Sequence, residues 1–202
     1  MKFKSVILLS GGLDSSLLLL RTLAQRESVG LDNSIVSALG FDYGQTHMVK
    51  ELEAARNVCD LLEVPLDIIK LPNLVGDSPP PGAVIPARNL IFAATAVNAF
   101  PDASSIAFGF CLEDREGFLD CREDFMFYLN ETLTRIGIET IVYAPFIDTS
   151  KAKILEVCAS TPRFKEVLAL SYSCYFGEAE PCGECGACLK RNAAISVALG
   201  SA

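Results

Sequence analysis

Two short stretches of this chain concentrate residues whose types and spacing could do chemistry. The first is Ser10-Gly11-Gly12-Leu13-Asp14-Ser15-Ser16, between an apolar run and a leucine-rich run. Two glycines let successive backbone N–H groups turn toward one point. A helix beginning at Ser15 adds the positive end of its dipole, and the hydroxyls of Ser10, Ser15 and Ser16 add donors. That is chemistry for holding an anion. No lysine follows the glycines as in a Walker loop, and the spacing is not G-x-G-x-x-G. A plain strand-to-helix turn is the alternative, and the flanking serines and the position after a first strand favour the anion site. The second stretch is Cys174, Cys182, Cys185 and Cys188, spaced C-x7-C-x2-C-x2-C. Four thiolates on short chelate loops suit tetrahedral Zn²⁺, and Gly183 and Gly186 allow the tight turns after two of the ligands. With four ligands and no open position the zinc reads as structural. It would fasten the tail, including a helix start at Lys190-Arg191, onto the rest of the chain. An iron–sulfur cluster is the chemical rival.

The elements that must position these groups alternate. Apolar runs at Phe3–Leu9, Ile35–Tyr43, Leu66–Leu71, Ser105–Phe110 and Glu139–Phe146 predict strands. Helices are predicted over Ser15–Gln25, His47–Glu63, Arg88–Phe100, Arg122–Ile136 and Ser150–Ala159. In His47–Glu63 the inward face is Val49, Leu52, Ala55, Val58, Cys59 and Leu62. In Arg122–Ile136 it is Phe125, Met126, Leu129, Leu133 and Ile136. Ser150 can N-cap the last helix. Pro72–Pro86 holds five of the ten prolines, including the run Pro79–Pro81, and reads as a functional loop or lid; Cys111–Cys121 reads as a polar loop. Alternating strands and helices imply an α/β fold with a doubly wound, mainly parallel sheet covered on both faces. The pattern changes near Leu170, which divides the chain into a main domain, 1–169, and a small zinc-binding segment, 170–202, packed on it.

At this point the residues carry a resemblance. Ser10–Ser15 resembles the Ser-Gly-Gly-x-Asp-Ser loop of the ATP pyrophosphatase, or PP-loop, superfamily. There the loop holds the pyrophosphate of ATP while a substrate attacks the α-phosphorus. Further segments narrow the resemblance to the 7-cyano-7-deazaguanine synthase family, the nitrile-forming ligases of queuosine biosynthesis. Phe41-Asp42-Tyr43-Gly44-Gln45 with His47 is similar to its Asp-Tyr-Gly-Gln-x-His segment. Ile85-Pro86-Ala87-Arg88-Asn89 is similar to Val-Pro-Gly-Arg-Asn, Asp120-Cys121-Arg122 to Asp-Cys-Arg, and Asp148 to Lys151 to Asp-x-x-Lys. Ser173-Cys174-Tyr175 and Pro181 to Cys188 resemble its zinc tail. The likeness runs from about residue 4 to residue 192. The chain departs at Ala87, a glycine in the family, at Thr46, usually arginine, at Arg115–Leu119, and at Gly186-Ala187.

The resemblance implies the fold of the adenine nucleotide α-hydrolase-like PP-loop proteins. It implies ATP-dependent conversion of 7-carboxy-7-deazaguanine and ammonia to the nitrile, releasing AMP and pyrophosphate. ATP would bind residues Ser10 to Ser16, with Mg²⁺. Asp14, Lys151 and Arg88 would be catalytic, and Tyr43, Gln45, Arg88, Asn89, Asp120 and Arg122 would bind the deazapurine, with Phe110 or Phe118 stacking on its ring. A homodimer is implied as well. From the residues alone several of these roles have rivals. Asp14 sits near a metal or caps the turn. Lys151 covers phosphate or is a surface lysine at a helix start. Arg88 faces a pocket or solvent, and His47, the only histidine, is catalytic or merely at a surface.

Composition bounds the partners. With 17 Lys+Arg against 25 Asp+Glu the formal charge is −8, which opposes a nucleic-acid or anionic-membrane binder. That weakens a tRNA-thiolating PP-loop activity, one alternative; a PP-loop protein redirected to another acceptor is the second. No apolar run approaches the length of a membrane span. Eight cysteines without a signal-peptide pattern read as cytoplasmic thiols or metal ligands. Cys59 and Cys158 lie on apolar faces and read as buried thiols, while Cys111 and Cys121 bracket the polar loop.

Overall fold

The computed structural model describes residues 4–76, 80 and 82–200. Phe3, at the expected start of the first strand, and Pro79 and Pro81 of the proline loop lie outside the described residues. Five parallel strands form one sheet in the order β3-β2-β1-β4-β5. They are β1 (Ser5–Leu8), β2 (Val36–Asp42), β3 (Leu66–Lys70), β4 (Ser105–Ala107) and β5 (Ile141–Tyr143). The central strand β1 pairs Ile7 with Ala38 of β2 and with Ala107 of β4. Both faces of β1 are buried, which is why it reads as an unbroken apolar run.

Helices cover both faces. α1 (Leu13–Ser28), α2 (Met48–Leu62), α6 (Lys151–Cys158), α7 (Phe164–Leu170) and α8 (Gly186–Leu199) share one core, around Ile7, Leu17, Leu19, Val58, Ile154 and Val167. α3 (Arg88–Ala99) and α5 (Glu123–Arg135) share the other, around Val6, Leu39, Ala93, Ile106 and Leu129. The sequence-based inward faces hold in their middles and fail at their ends. Met126, Leu129 and Leu133 are buried, but Ile136, just past α5, is 66% exposed; Val49, in the first turn of α2, is 67% exposed. A helix end that overhangs the sheet has nothing to bury its apolar side chain against.

Two expected elements differ. Cys111–Cys121 is not a loop: it folds as α4 (Leu112–Gly117) and a short 3₁₀ turn, Leu119–Cys121. The Cys111 backbone N–H and thiol both donate to the Asp114 carboxylate, at 3.2 and 3.1 Å, which starts the helix. β4 and β5 are shorter than the runs that announced them, because past Ala107 the chain leaves the sheet to pass the start of α1. A Cβ on Gly109 would lie 2.9 Å from the backbone of Ser15, so only glycine fits there. Ser150 does cap α6, its hydroxyl accepting from the Lys153 N–H at 3.2 Å. α8 packs against α6, bringing the cysteine tail back to the sheet's carboxyl edge.

Candidate functional site

In an open parallel sheet, ligands gather where the strand order reverses, outside the carboxyl ends of the strands. Here the order reverses at β1, with β2 on one side and β4 on the other. A cavity of about 320 Å³ opens at that point, between the chain leaving β1 (Leu9 to Ser15), that leaving β2 (Phe41 to His47) and that leaving β4 (Phe108 to Phe110).

One end of the cavity is the glycine turn. Gly11 has φ +75°, and a Cβ there would lie 2.4 Å from the Glu51 carbonyl oxygen and 2.6 Å from the Ala55 nitrogen on α2. The missing side chain is therefore what lets the turn seat on α2. Helical bonding begins with the Ser16 N–H donating to the Gly12 oxygen at 3.1 Å, which leaves the N–H groups of Leu13, Asp14 and Ser15 outside the helical ladder. The Ser10 and Ser15 hydroxyls lie 3.1 Å apart beside them. Backbone donors, hydroxyls and a helix N-terminus thus meet at one point, as an anion requires.

Below the turn is a buried charge cluster. Lys151 Nζ donates to Asp14 Oδ2 at 2.5 Å and to the Cys111 sulfur at 3.1 Å, and Asp114 Oδ1 lies 3.9 Å away. Asp14 is in the first turn of α1 and does not cap it; the cap position is Gly12. Lys151 is buried, not a surface lysine. Burial alone would favour its neutral form, but the carboxylates of Asp14 and Asp114 outweigh it and hold the ammonium charged. Burial pushes the Asp14 carboxyl upward, with Lys151 pulling against it. Burial likewise pushes up the Cys111 thiol, so it is no ready nucleophile. Asp14 Oδ1 is buried with no hydrogen-bond partner. With Asp114 close by, that free oxygen fits a hard divalent cation such as Mg²⁺.

The other end of the cavity is aromatic. Phe41 and Phe92 stack with centroids 4.3 Å apart, Phe108 and Phe110 at 4.5 Å, and Phe118 joins the wall. Arg88 lies over the Phe92 ring at 5.9 Å, beside Tyr43, whose phenol burial pushes up to about 12. Arg88 Nε is buried without a partner, and no carboxylate pairs with this arginine among the described residues. The guanidinium is half-buried and also meets the Tyr43 phenol, and its unpartnered Nε on a cavity wall suits it to an anionic ligand. Ala87, just before it, adopts φ 58°, ψ 17°, a left-handed conformation in which an L-residue costs about 1 kcal/mol.

The structure brings most of the expected residues together. Ser10, Gly12, Leu13, Asp14, Ser15, Tyr43, Gln45, Arg88, Asn89 and Lys151 all line the one cavity. Gln45 spends its amide on structure: its oxygen accepts from the Tyr43 N–H at 2.9 Å, and its nitrogen donates to the Phe41 oxygen and to Glu51. Gly11, Ser16, Asp120 and Arg122 do not reach the wall, and the Ser16 hydroxyl, expected as a donor, is buried inside the fold. Asp120 accepts from the Asn89 backbone N–H at 3.3 Å and so positions the start of α3, and Arg122 donates to the Arg115 oxygen. Sequence reasoning missed Glu51, Asp114, Tyr175 and Arg191, which also line the cavity. His47 lies beside Glu51, with Nε2 3.2 Å from the carboxylate.

The four tail thiols converge as their spacing predicts. Their sulfurs all lie within 4.8 Å of one another, with Cys182 and Cys188 3.9 Å apart. A tetrahedron of ligands ~2.3 Å from one Zn²⁺ has edges of about 3.8 Å. A four-iron cluster seats each thiolate on a separate iron and spreads them further, so the spacing fits a single ion better.

The family model described as queuosine biosynthesis protein QueC matches residues 4–79 and 73–199. The chain belongs to the QueC family. Among its QueC relatives, the 7-cyano-7-deazaguanine synthase of Pseudoalteromonas translucida is 31% identical, over 96% of this chain and 94% of the relative. The 7-cyano-7-deazaguanine synthase 2 of Colwellia psychrerythraea is 33% identical, over 93% and 91%. In fold this QueC chain is similar to a solved U34-tRNA thiolase, NcsA from Methanococcus maripaludis with its [4Fe-4S] cluster. The TM-score is 0.53 and the identity 17%, over 98% of this chain and 70% of that one. No helix among the described residues is long and apolar enough to cross a membrane.

Proposed function

We propose that this QueC-family chain converts 7-carboxy-7-deazaguanine and ammonia to 7-cyano-7-deazaguanine, consuming ATP and releasing AMP and pyrophosphate. The observation that carries the reading is one cavity with two anion-seeking ends: the glycine turn over the Lys151 cluster, and Arg88 over an aromatic wall. In this reading the first end takes the ATP phosphates and the second takes a flat, carboxylated ring.

The substrate carboxylate attacks the α-phosphorus and pyrophosphate leaves, converting a poor leaving group into an acyl adenylate. The turn's N–H groups and Lys151 stabilise the charge that develops on the phosphates. Asp14 and Asp114 would hold a Mg²⁺, which would supply charge neutralisation at the phosphates. Ammonia displaces AMP and loses a proton to give the amide. A second ATP adenylates the amide oxygen as pyrophosphate leaves and one N–H proton is lost, and loss of AMP with the other N–H proton leaves the nitrile. Arg88 orients the carboxylate end through its planar fork, with the ring against Phe110 or Phe118. The tail thiols hold one structural Zn²⁺. The enzyme works in the cytoplasm as a homodimer without nucleic acid, in keeping with its acidic balance.

The test is pyrophosphate and AMP release by purified protein with ATP, Mg²⁺, 7-carboxy-7-deazaguanine and ammonium, with the nitrile identified by mass. ADP and phosphate as the only products would contradict attack at the α-phosphorus. ATP binding without release dependent on 7-carboxy-7-deazaguanine would move the acceptor elsewhere. Thr46, Ala87 and Arg115–Leu119, where the chain departs from the family's pattern, would then be the residues that redirect it.

A further inference from the structure

Arg191 is a second arginine on the cavity wall that forms no salt bridge among the described residues. It lies on α8, and burial lowers its pKa from the ordinary arginine value. Nη1 donates to the Ser171 hydroxyl at 2.8 Å and the Ser173 hydroxyl at 3.5 Å, and Nη2 to the Leu168 oxygen at 2.7 Å. Among the described residues it forms no salt bridge, although the Asp14 carboxylate is near enough to favour its charged form. A guanidinium has five N–H donors, so two remain for a ligand. A half-buried guanidinium on the cavity wall, held by two hydroxyls and a carbonyl with the Asp14 carboxylate as its nearest counter-charge, still has donors to offer an anion.

Its mounting is the informative part. Ser173 also accepts the Leu13 N–H of the glycine turn at 3.4 Å, and the next backbone N–H back, that of Tyr172, donates to the Gly11 oxygen at 2.9 Å. The residue after Ser173 is Cys174, and three residues before Arg191 on the same face of α8 is Cys188. Two of the four clustered thiols are thus one and three residues from the side chains that meet at the anion turn. An ion drawing Cys174 and Cys188 together fixes Ser173 and Arg191 against Leu13. Without it, only the intervening chain and the hydrogen bonds of Arg191 tie α8 to the 172–174 segment.

We propose that the four-cysteine knuckle is part of the nucleotide site: its metal holds Arg191 and Ser173 in place, Arg191 binds the ATP phosphates, and phosphate affinity therefore depends on metal occupancy. This rests on the reading that ATP binds at residues 10–16.

The experiment is calorimetric titration of the full-length protein with ATP and with inorganic pyrophosphate, in Mg²⁺. Three samples are compared: zinc-loaded wild type, zinc-loaded Arg191→Gln, and wild type stripped by a chelator, with circular dichroism and zinc content measured on each. Arg191→Gln should weaken both ligands about tenfold or more, the cost of one charge-assisted contact, at unchanged zinc content and melting temperature. Stripped protein should lose as much, recover it on zinc addition, and show little further loss when Arg191→Gln is stripped. Wild-type affinity in Arg191→Gln, or in folded stripped protein, overturns the coupling and leaves the ATP reading standing. If zinc-loaded wild type binds neither ligand, the ATP reading fails and the coupling with it. Should stripping unfold the chain, zinc-loaded Ser173→Ala decides: it must also weaken ATP, and unchanged affinity overturns the proposal.

Discussion

Replacing Lys151 with methionine tests whether the buried charge cluster is held together by one cation. The Lys151 and Asp14 side chains are 9% and 18% exposed and meet at 2.5 Å, and Asp114 faces the same ammonium. Removing one partner of a buried ion pair costs about 3–5 kcal/mol, because the other charge is stranded. Partial exposure of Asp14 puts Lys151→Met near the lower figure, about 3 kcal/mol, or about 6–12 °C in melting temperature for a chain of this size. The penalty should depend on pH with a definite sign. Burial already pushes the folded Asp14 carboxyl upward, and losing Lys151 removes what opposes it. The folded state then keeps a proton over a window where the unfolded chain, ionising near ~3.9, has lost it. The wild-type carboxyl is itself raised, so the variant's stability relative to wild type must fall as pH rises beyond the wild-type Asp14 pKa, and the deficit must be larger near neutrality than in acid. Urea unfolding of both proteins at about pH 4.5 and pH 7.5 measures this, with Asp14→Asn/Lys151→Met as the control that strands one charge fewer and should recover much of the loss. A penalty below about 0.5 kcal/mol, or one of equal size at both pH values, would show that Lys151 is not what compensates the carboxylates.

Other outcomes follow from the same geometry. Gly12→Val should abolish ATP binding in an equilibrium titration while melting near wild type, since Gly12 has an ordinary φ of −70° and a Cβ there meets only the Ser10 hydroxyl closely, at 3.2 Å. Gly11→Ala should instead fail to fold well, because its Cβ would enter the backbone of α2. Arg88→Lys keeps the charge but not the fork, and should lower turnover of 7-carboxy-7-deazaguanine about tenfold, ~1.4 kcal/mol, with ATP affinity unchanged; a parallel loss of ATP affinity would place Arg88 at the wrong end of the cavity. Elemental analysis should find about one zinc per chain, and iron with sulfide would refute the single-ion reading. Ala87→Gly should raise stability by about 0.5–1 kcal/mol in urea unfolding, and a loss there would mean that no strain is held at φ 58°.

The parts of this structure that were legible in the sequence are those whose signal is local. β1 and β2 are buried on both faces and so read as apolar runs, and the four tail cysteines carry their own spacing. α4 was illegible because its six residues, Leu112–Gly117, are mostly charged, and a capping interaction between Cys111 and Asp114 makes it a helix. α7 is only seven residues long, too short for a periodic pattern. Arg191 was read as part of a structural tail because nothing in its neighbours tells that α8 returns to the glycine turn. The pairing of Asp14 with Lys151 spans 137 residues, and no spacing rule reaches that far. Asp120 and Arg122 were found by motif alone, and only the structure shows that Asp120 holds Asn89 at the start of α3 while Arg122 bonds the Arg115 oxygen.

Two arginines on one cavity wall, Arg88 and Arg191, neither in a salt bridge among the described residues, make the stability of this protein a property of its solvent. An anion that binds only the folded chain adds RT ln(1 + [L]/Kd), about 2.7 kcal/mol at a hundredfold excess over Kd. The empty form is accordingly the least stable one, and phosphate, pyrophosphate or a carboxylate in the buffer competes with substrate while it protects the fold. A melting temperature taken in phosphate reports an occupied cavity, and one taken in chloride reports the bare chain.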